Sequence, residues 1–501
     1  MTVVPFFIIV SLGAAFLISV FGKHYKRSSD YLANSACFIL LALSLYTLNL
    51  ICKTPNHILV YRVGGWIPPI GISMVIDCLT PFMLITVNLV AFLIAIYSIN
   101  YMERYTDKWK FYTLFMLMLA GMNGIIITGD IFNLFVFLEI AAISSYALVA
   151  FGTEAEELEA SFKYAVMGSV GSSFILLGIA ILYSYTSTLN MADMAKAITQ
   201  KGPAKILPFV SVLFLMGFGL KAALVPFHAW LPDAHPSAPA PISAMLSGVL
   251  IKVLGIYALS RIFFNVFGMS QAVSRIFIIL AIASMVVGSI LAFGQSDIKR
   301  LFAYSSISQI GYIVLGLAIG TPLSIMGGLF HLFNHSIFKS LLFLNSGVIE
   351  HSIGTRDLKK MSGILYKMPV TGYTTLIGAL SICGIPPLGG FWSKLIIIFA
   401  CIQANHPVLA LIAIFVSILT LAYYFKAVTP ALFGREDGQD YKSFRKKASW
   451  AMNASMIALA TLSIISGLML VPNLGAGLLK DATSVLANGI SYANLVFEAL
   501  K

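Results

Sequence analysis

The sequence predicts an all-α, polytopic membrane protein, and its composition is the first reason. Hydrophobic residues make up 59% of the 501 residues, charged residues only 10%, and the mean hydropathy is +0.92. Soluble domains do not reach such an apolar balance. Apolar runs long enough to cross a bilayer recur along the chain, and we therefore predict about 14 transmembrane helices.

The predicted spans are separated by polar connections. They cover residues 3–21, 31–52, 74–98, 111–128, 131–151, 163–185, 206–229, 240–263, 273–293, 301–320, 323–347, 370–404, 408–432 and 449–471. The first run has no basic segment before it and no small-residue cleavage site, so we expect a retained helix rather than a signal peptide. The residues after the last span are weakly amphipathic, and we expect them at the membrane surface.

The net charge of +12 does not indicate a nucleic-acid partner, because the basic residues concentrate in alternate loops. Loops after odd-numbered spans hold eighteen Lys and Arg residues, and loops after even-numbered spans hold seven, with Arg261 and Arg275, near the ends of their spans, counted in the loop between them. By the positive-inside rule, the odd-numbered loops face the cytoplasm and both termini lie outside. The eighteen are Lys23, Lys26, Arg27, Arg104, Lys108, Lys110, Lys163, Lys299, Arg300, Arg356, Lys359, Lys360, Lys367, Arg435, Lys442, Arg445, Lys446 and Lys447.

Cysteine usage and short motifs predict no metal site and no cofactor. The cysteines lie in or beside predicted spans and form no C-x-x-C pair, so neither a disulfide framework nor a zinc or iron–sulfur site is indicated. They are Cys37, Cys52, Cys78, Cys383 and Cys401. The chain also lacks a glycine-rich nucleotide motif on a soluble α/β unit.

Apart from Lys163, which begins its span and is counted with the loop before it, five lysines fall within the predicted spans: Lys221, Lys252, Lys339, Lys394 and Lys426. A charged side chain at the bilayer centre costs ~3 kcal/mol or more, so such residues mark functional sites. Lys426 lies near the end of its span, where a long side chain can extend to the interface. Asp77, near the start of the third span, is expected at the interface for the same reason. Glu139 is the only carboxylate well inside a span.

Two spans are predicted to be broken. Pro226 follows Lys221, and the segment PFHAWLPDAHPSAPAP holds too many prolines to remain a regular helix. In the twelfth span, GIPPLGGFWSK places Pro386, Pro387 and two glycines just before Lys394. Interruptions at corresponding positions of two halves point to an ion site in transporters. Because the breaks lie in spans seven and twelve, they suggest two five-helix repeats.

The eleventh span carries a polar stripe in GLFHLFNHSIFKSLLFL. His331, His335 and Lys339 follow one another at four-residue intervals and so share one helix face, with Asn334 beside them. Three interpretations exist: a metal site, packed histidines with satisfied hydrogen bonds, and a hydrated proton path. The absence of a nearby acidic residue or cysteine disfavours metal, and we favour the proton path.

Four segments resemble one known family. FNLFVFLEI, GFGLKAALVPFHAWLPDAHPSAPAPISAMLSGVLIK, DIKRLFAYSSISQIGYI and GIPPLGGFWSK are similar to the antiporter-like subunits of complex I, membrane-bound hydrogenases and Mrp-type sodium/proton antiporters. The resemblance implies two inverted five-helix repeats with discontinuous helices seven and twelve. It implies N-terminal helices 1–3 in residues 1–110, repeats in 111–265 and 266–433, and a last helix with an amphipathic tail in 434–501.

The resemblance also implies a chain of proton-carrying residues. In chain order they are Glu139 (helix five), Lys221 (helix seven, paired with Glu139), Lys252 (helix eight), His335 and Lys339 (helix eleven) and Lys394 (helix twelve). We add His331 to this chain because it lies on the same polar stripe. Burial favours the neutral form of a lysine and a nearby carboxylate favours the charged form, so a lysine beside Glu139 can be switched between them. Water must bridge the gaps between helices.

Details of the motifs point to more than one subfamily. PFHAWLPDAH is most similar to the M subunit of complex I and its hydrogenase counterparts, whereas Lys394 resembles the lysine of the L and N subunits and of the Mrp D-type chain. Because few residues follow the last span, we expect no counterpart of the long lateral helix of the L subunit. The mixture fits an Mrp D-type chain or its relative in a membrane-bound hydrogenase-type complex.

We therefore predict a proton-translocating subunit of a multi-subunit antiporter or respiratory complex in a prokaryotic-type inner membrane. Its partners would be other integral membrane subunits, protons, Na⁺ as an alternative coupling ion, and the lipid bilayer. A stand-alone secondary cation/proton transporter is one alternative, which transport by the purified chain alone would support. A catalytic redox subunit is another, and a bound chromophore would support it.

Overall fold

The computed structural model describes residues 3–25, 27–202, 204–434, 448–471 and 475–500. Within these ranges the chain is mostly helical, and ten helices are long and apolar enough to cross a membrane. The basic residues Lys26, Arg435, Lys442, Arg445, Lys446 and Lys447, which contribute to the predicted topology, lie outside the described residues.

The helices follow one another with short connections. They are α1 (Phe6–Phe21), α2 (Ser28–Lys53), α3 (Leu79–Tyr101), α4 (Lys108–Ile127), α5 (Ile131–Val149), α6 (Ala155–Thr186), α7 (Met191–Lys201), α8 (Ile206–Lys221), α9 (Leu231–Ser237), α10 (Ala240–Met245), α11 (Ala258–Ser260), α12 (Gln271–Phe293), α13 (Ile298–Ile319), α14 (Pro322–Ile353), α15 (Ile364–Lys367), α16 (Pro369–Cys383), α17 (Gly389–Gln403), α18 (Pro407–Phe433), α19 (Trp450–Ile465), α20 (Ala476–Ala487) and α21 (Tyr492–Leu500).

Two features differ from an all-helical, purely membrane-spanning chain. Strands β1 (Leu59–Arg62) and β2 (Ser73–Ile76) form an antiparallel hairpin between α2 and α3. The short helix α7 is amphipathic and packs against α21. The other C-terminal helix, α20, packs against α3 and α14, so the predicted surface tail contacts the helical body.

The polar residues are concentrated in the most enclosed helices. Every residue from 327 to 349 in α14 is buried, as is the whole Ala240–Val266 segment. A helix that is buried on all sides needs neighbours around its full circumference. The flanking helices, such as α6, α12 and α18, instead keep one exposed apolar face.

The Ala240–Val266 segment is not a regular α-helix. Three of its stretches are π-helical: Leu246–Leu250, Lys252–Tyr257 and Arg261–Val266. A π-helical turn is wider than an α-helical turn and often marks a functional position. Lys252 is the first residue of the middle stretch, so the widened backbone lies at a predicted site residue.

An ion pair that joins distant parts of the sequence is buried near the hairpin. The Asp77 carboxylate lies 2.7 Å from the Arg261 guanidinium, and Asp77 is only 1% exposed. Burial alone raises the pKa of Asp77, but the charge and hydrogen bonds of Arg261 outweigh it and hold that pKa below its ordinary value. Asp77 is therefore buried, and the expectation that it lies exposed at the membrane interface is wrong. Arg261 is likewise buried, in the Ala240–Val266 segment, and is not a loop residue.

Replacing Asp77 by Asn leaves the Arg261 charge buried without its partner. We expect the free energy of unfolding to fall by about 3–5 kcal/mol. The midpoint of thermal unfolding of the detergent-solubilised protein measures this loss. Asp107→Asn is the matched control, because the Asp107–Lys110 pair is exposed and its removal should not shift the midpoint measurably. Equal shifts for the two variants would contradict a special role for the buried pair.

Candidate functional site

Lys221 is the last residue of α8 and is only 4% exposed. Its Nζ lies 3.7 Å from Oε1 of Glu139 on α5 and donates a hydrogen bond of 3.2 Å to the hydroxyl of Tyr146. Ser172 on α6 donates to the same Glu139 oxygen. Three helices thus converge on one lysine and one carboxylate, and the pair predicted from the sequence is brought together.

The first break covers residues 222–239: the chain leaves helical geometry after Lys221, the break contains the short helix α9 (Leu231–Ser237), and α10 begins at Ala240. Pro226 lies in this connection and is exposed. Because proline has no N–H, the break leaves backbone groups that need other partners. The indole of Trp230 donates to the carbonyl oxygen of Leu220 over 3.0 Å and so satisfies one of them.

A close approach of two backbones fixes where the first break begins. A Cβ atom added to Gly255 would lie 2.4–2.6 Å from the backbone and Cβ of Ala222. Only glycine permits this contact, because any side chain would displace Ala222. The residue after Lys221 therefore rests directly on the widened helix that carries Lys252.

Lys252 is buried and folds back along its own helix. Its Nζ donates to the carbonyl oxygen of Ser247 over 2.6 Å and to that of Gly248. These acceptors lie five and four residues earlier in the chain, within the first π-helical stretch, Leu246–Leu250. Lys252 therefore has neutral acceptors, and no carboxylate in the described part of the chain forms an ion pair with it.

Lys339 on α14 is fully buried and also has neutral acceptors. Its Nζ donates to the carbonyl oxygen of Phe302 over 2.7 Å and to the hydroxyl of Ser305, both on α13. The hydroxyl of Ser305 lies 3.2 Å from that of Tyr424 on α18. The lysine is thus joined to α13 directly and to α18 through one hydroxyl.

The two histidines of the α14 stripe differ in their surroundings. The His331 ring nitrogens lie 2.9 Å from the Ser393 hydroxyl and 3.1 Å from Oε1 of Gln309. His335 is equally buried, but neither of its ring nitrogens has a hydrogen-bond partner among the described residues. Packing with satisfied histidines therefore describes His331 and does not describe His335.

Lys394 on α17 is 3% exposed and lies just beyond the second break. Its Nζ donates to the carbonyl oxygen of Ile382 over 2.7 Å and to the Ser417 hydroxyl over 3.3 Å. It also lies 5.0 Å from the centre of the Tyr312 ring, within the range of a cation–π contact. All three contacts are with uncharged groups.

The second break spans the residues between α16 and α17, and Pro386 and Pro387 lie exposed within it. Gly384 ends α16 with a φ of +82°, which a residue without a side chain adopts most easily. Asn334 on α14 donates to the carbonyl oxygen of Gly389 over 3.1 Å and so holds the start of α17 against the polar stripe.

The predicted site residues do not form one continuous hydrogen-bonded chain. Lys221 contacts Glu139, and His331 contacts the residue before Lys394, but no direct hydrogen bond joins the four buried lysines in the described ranges. Lys426 is exposed, which agrees with a side chain that extends outward. Within those ranges, no group of three or more His, Cys, Asp or Glu residues could hold a metal ion.

The sequence does not predict several residues that complete the site. Ser172 and Tyr146 bond Glu139 and Lys221, and Gln309 and Ser393 bond His331. The polar residues of GSVGSS in α6 and of SSISQ in α13 are the available sequence signal, because serines and glutamines inside apolar spans need partners there.

The site lies within the part of the chain that matches a known family. Residues 128–420 match the transmembrane region of NADH:quinone oxidoreductase and Mrp antiporter subunits, and residues 66–112 match the N terminus of chain 5 of NADH-ubiquinone oxidoreductase (complex I). The chain is 35% identical over 473 residues to the D-type chain of the Na⁺/H⁺ antiporter of Alkalihalophilus pseudofirmus, and the match covers 94% of each chain. It is 39% identical over 376 residues to the N-type chain of the NADH-quinone oxidoreductase of Desulforudis audaxviator, covering 74% of this chain and 75% of the relative.

Two solved structures have a similar fold. A chain in the Mrp complex from Dietzia sp. DQ12-45-1b superposes with a TM-score of 0.89 at 27% identity, covering 100% of both chains. A chain in the membrane-bound sulfane sulfur reductase, an archaeal respiratory membrane complex, gives a TM-score of 0.91 at 33% identity. The latter match covers 99% of this chain and 100% of the other.

The contact between Gly255 and Ala222 yields a test of the first break. Gly255→Ala places a methyl group against backbone atoms, so we expect a loss of about 1–3 kcal/mol in the free energy of unfolding. Thermal unfolding of the solubilised protein measures it. Gly13→Ala in α1 is the control, because a Cβ atom there meets nothing within 4 Å. A Gly255→Ala protein as stable as the control would show that the two backbones can separate freely.

Proposed function

The chain belongs to the NADH:quinone oxidoreductase/Mrp antiporter family of membrane subunits, and we propose that it carries protons through the membrane as one subunit of a multi-subunit ion-pumping complex. The complex is of the Mrp antiporter type or of the respiratory type, as in the two similar structures. Other integral membrane subunits are its partners, and the protein is a multi-pass component of a prokaryotic-type cell membrane.

The observation that carries this function is the kind of acceptor that the buried lysines use. Lys252, Lys339 and Lys394 donate to carbonyl and hydroxyl oxygens. Such acceptors bind an ammonium group and can also bind a neutral amine, because an amine still has N–H donors. The proton can therefore leave each lysine without exposing an unpaired carboxylate at membrane depth.

Cations with a structural role in this chain are held differently. Arg261 lies 2.7 Å from Asp77, and Lys299 lies 2.8 Å from Glu350, so each is fixed by a carboxylate. Removing a proton from Lys299 would leave a buried negative charge uncompensated. The contrast separates lysines that can exchange a proton from cations that stabilise the fold.

Glu139 and Lys221 form the switchable end of the path. The Glu139 side chain is 27% exposed, and its described partners are Ser172 and Lys221. If Glu139 turns away, Lys221 keeps the Tyr146 hydroxyl as a neutral acceptor and can release its proton. If Glu139 returns, the charged form of Lys221 is favoured again.

From Lys221 the proton passes to Lys252, then to the α14 stripe, and finally to Lys394. The α14 stripe consists of His331, His335 and Lys339. Since no direct hydrogen bond joins the buried lysines within the described ranges, water completes the path, and the unpartnered ring of His335 is a site where water can bind. Because binding energies are reciprocal, proton movement can drive, or be driven by, a reaction in a partner subunit.

The architecture we propose has about 14 spans with discontinuous spans seven and twelve. The ten long apolar helices are supplemented by α1, α8, the polar helix α14 and the α16–α17 pair. Residues 111–265 and 266–433 form two inverted repeats, flanked by helices 1–3 in 1–110 and a final segment in 434–501. The two breaks, one after Lys221 and one before Lys394, support this arrangement.

The orientation we propose places both termini outside and the odd-numbered loops in the cytoplasm. The odd-numbered loops hold eighteen lysines and arginines and the even-numbered loops hold seven, and the side with more basic residues is the cytoplasmic side.

The type of complex can be identified from the subunits that co-purify with the chain. Mass spectrometry of the affinity-purified complex therefore distinguishes an antiporter from a respiratory complex. Recovery of the chain alone, active in proteoliposomes, would favour a stand-alone transporter instead.

Replacing Glu139 by Gln removes the switching charge but keeps the size of the side chain. We expect coupled proton transport by the assembled complex to fall by about tenfold or more. A pH-sensitive dye in inside-out vesicles reports the rate, and a blot confirms assembly. Glu103→Gln, at an exposed position in the short 3₁₀ turn that follows α3, is the control and should transport normally. Wild-type transport by Glu139→Gln would remove Glu139 from the path.

Lys221→Arg separates a proton carrier from an electrostatic anchor. Arginine keeps the positive charge, but its guanidinium does not release a proton in proteins. We expect Lys221→Arg to be as inactive as Lys221→Ala in the same vesicle assay. Lys426→Arg, a change at an exposed lysine of α18, should stay active. If Lys221→Arg transports protons at the wild-type rate, Lys221 only anchors charge and the path must bypass it.

A further inference from the structure

His235 is a buried histidine that the proposed path does not use. It lies in α9, within the first break, and its exposed fraction is 0%. Neither ring nitrogen has a hydrogen-bond partner among the described residues. Leaving such a polar group unpaired costs about 1–3 kcal/mol, and an apolar ring would avoid that cost. The position therefore calls for an explanation beyond packing.

The ring of His235 packs between the first break and α14. Its ring lies 6.1 Å from that of Trp230 and 5.6 Å from that of Phe343 on α14. Phe343 follows Lys339 by one turn of α14, and the Ser243 hydroxyl, which donates to the His235 carbonyl oxygen, belongs to the Ala240–Val266 segment that carries Lys252. Imidazole is the side chain that exchanges protons most readily near neutral pH. His235 can therefore exchange protons with either lysine through intervening water.

The residues that follow His235 reach a charged cavity at the end of the molecule where the odd-numbered loops lie. This loop-side cavity is lined by Arg104, Glu157, Ser237, Ala238, Lys299 and Glu350, among others. Lys299 donates to the carbonyl oxygens of Pro236 and Ala238 over 3.4 and 3.3 Å. Arg356, which also lines the cavity, donates to the Pro236 oxygen over 2.9 Å. His235 thus lies two residues before Ser237, which lines this charged cavity.

We propose that His235 is a further proton-carrying residue, which connects the loop-side cavity with Lys252 and Lys339, a role that rests on the proposed function. A proton from cavity water adds to one ring nitrogen, and the other nitrogen gives up its proton toward the lysines. The ring returns to its first tautomer before the next transfer. One proton enters and one leaves, and no redox step occurs.

Substitutions at His235 test this role in the complete complex, reconstituted in vesicles with a pH-sensitive dye. His235→Phe keeps the ring and its packing, and His235→Gln keeps hydrogen bonding without proton exchange. We expect both to transport protons about tenfold more slowly than the wild type, or worse, with normal assembly. His228→Phe is the matched control in the same break, is half-buried, and should transport at the wild-type rate.

The transport rates of these variants decide whether His235 carries protons. Wild-type rates in either His235 variant would make His235 a packing residue, and an equal loss in His228→Phe would mean that the whole break is sensitive to substitution. Both results overturn the assignment. A wild-type complex that carries no protons would instead overturn the proposed function, and this inference with it.

A second measurement needs no variant. Deuterium exchange at the imidazole C2 position, followed by mass spectrometry of the wild-type complex, reports water access to each histidine. We expect His235 to exchange at a rate similar to that of the half-buried His228. No exchange at His235 while His228 exchanges fully would show that His235 is dry and carries no protons.

Discussion

A lysine at membrane depth requires hydrogen-bond acceptors, and a broken helix at membrane depth requires hydrogen-bond donors. This chain meets both requirements with the same contacts. Lys394 donates to the carbonyl oxygen of Ile382 in the last turn before the second break, and Lys252 donates to carbonyl oxygens of its own widened helix. At the first break, the indole of Trp230 takes the place of a lysine. The breaks accommodate buried lysines, and the lysines stabilise irregular backbone.

Lysine ammonium groups and backbone carbonyl oxygens can pair in this way only on helices that other helices surround. The helix α14 and the Ala240–Val266 segment are surrounded by other helices, so their polar groups do not face lipid. The outer helices need only one buried face and can remain almost entirely apolar on the other. Polar chemistry inside and an apolar exterior are therefore separated by layers of helices rather than along the sequence.

Much of this arrangement is visible in the sequence, for identifiable reasons. Apolar runs predict helices because a bilayer imposes a minimum length, and clustered prolines predict breaks because they remove N–H donors. The pairing of Asp77 with Arg261 is not visible, because 184 residues separate them. The π-helical stretches and the unpartnered ring of His235 are also set by packing between distant helices. Local patterns thus identify the lysines, whereas their acceptors depend on the tertiary structure.

The contacts of Lys299 also have a mechanical consequence. Lys299 lies in the first turn of α13 and binds the carbonyl oxygens of Pro236 and Ala238 at the first break. Further along the same helix, Ser305 binds Lys339 and Gln309 binds His331. A helix is stiff along its axis, so α13 transmits a displacement at one end to the residues further along it. Displacement of the first break would therefore move the acceptors of the α14 stripe along with it, without any charge passing between them.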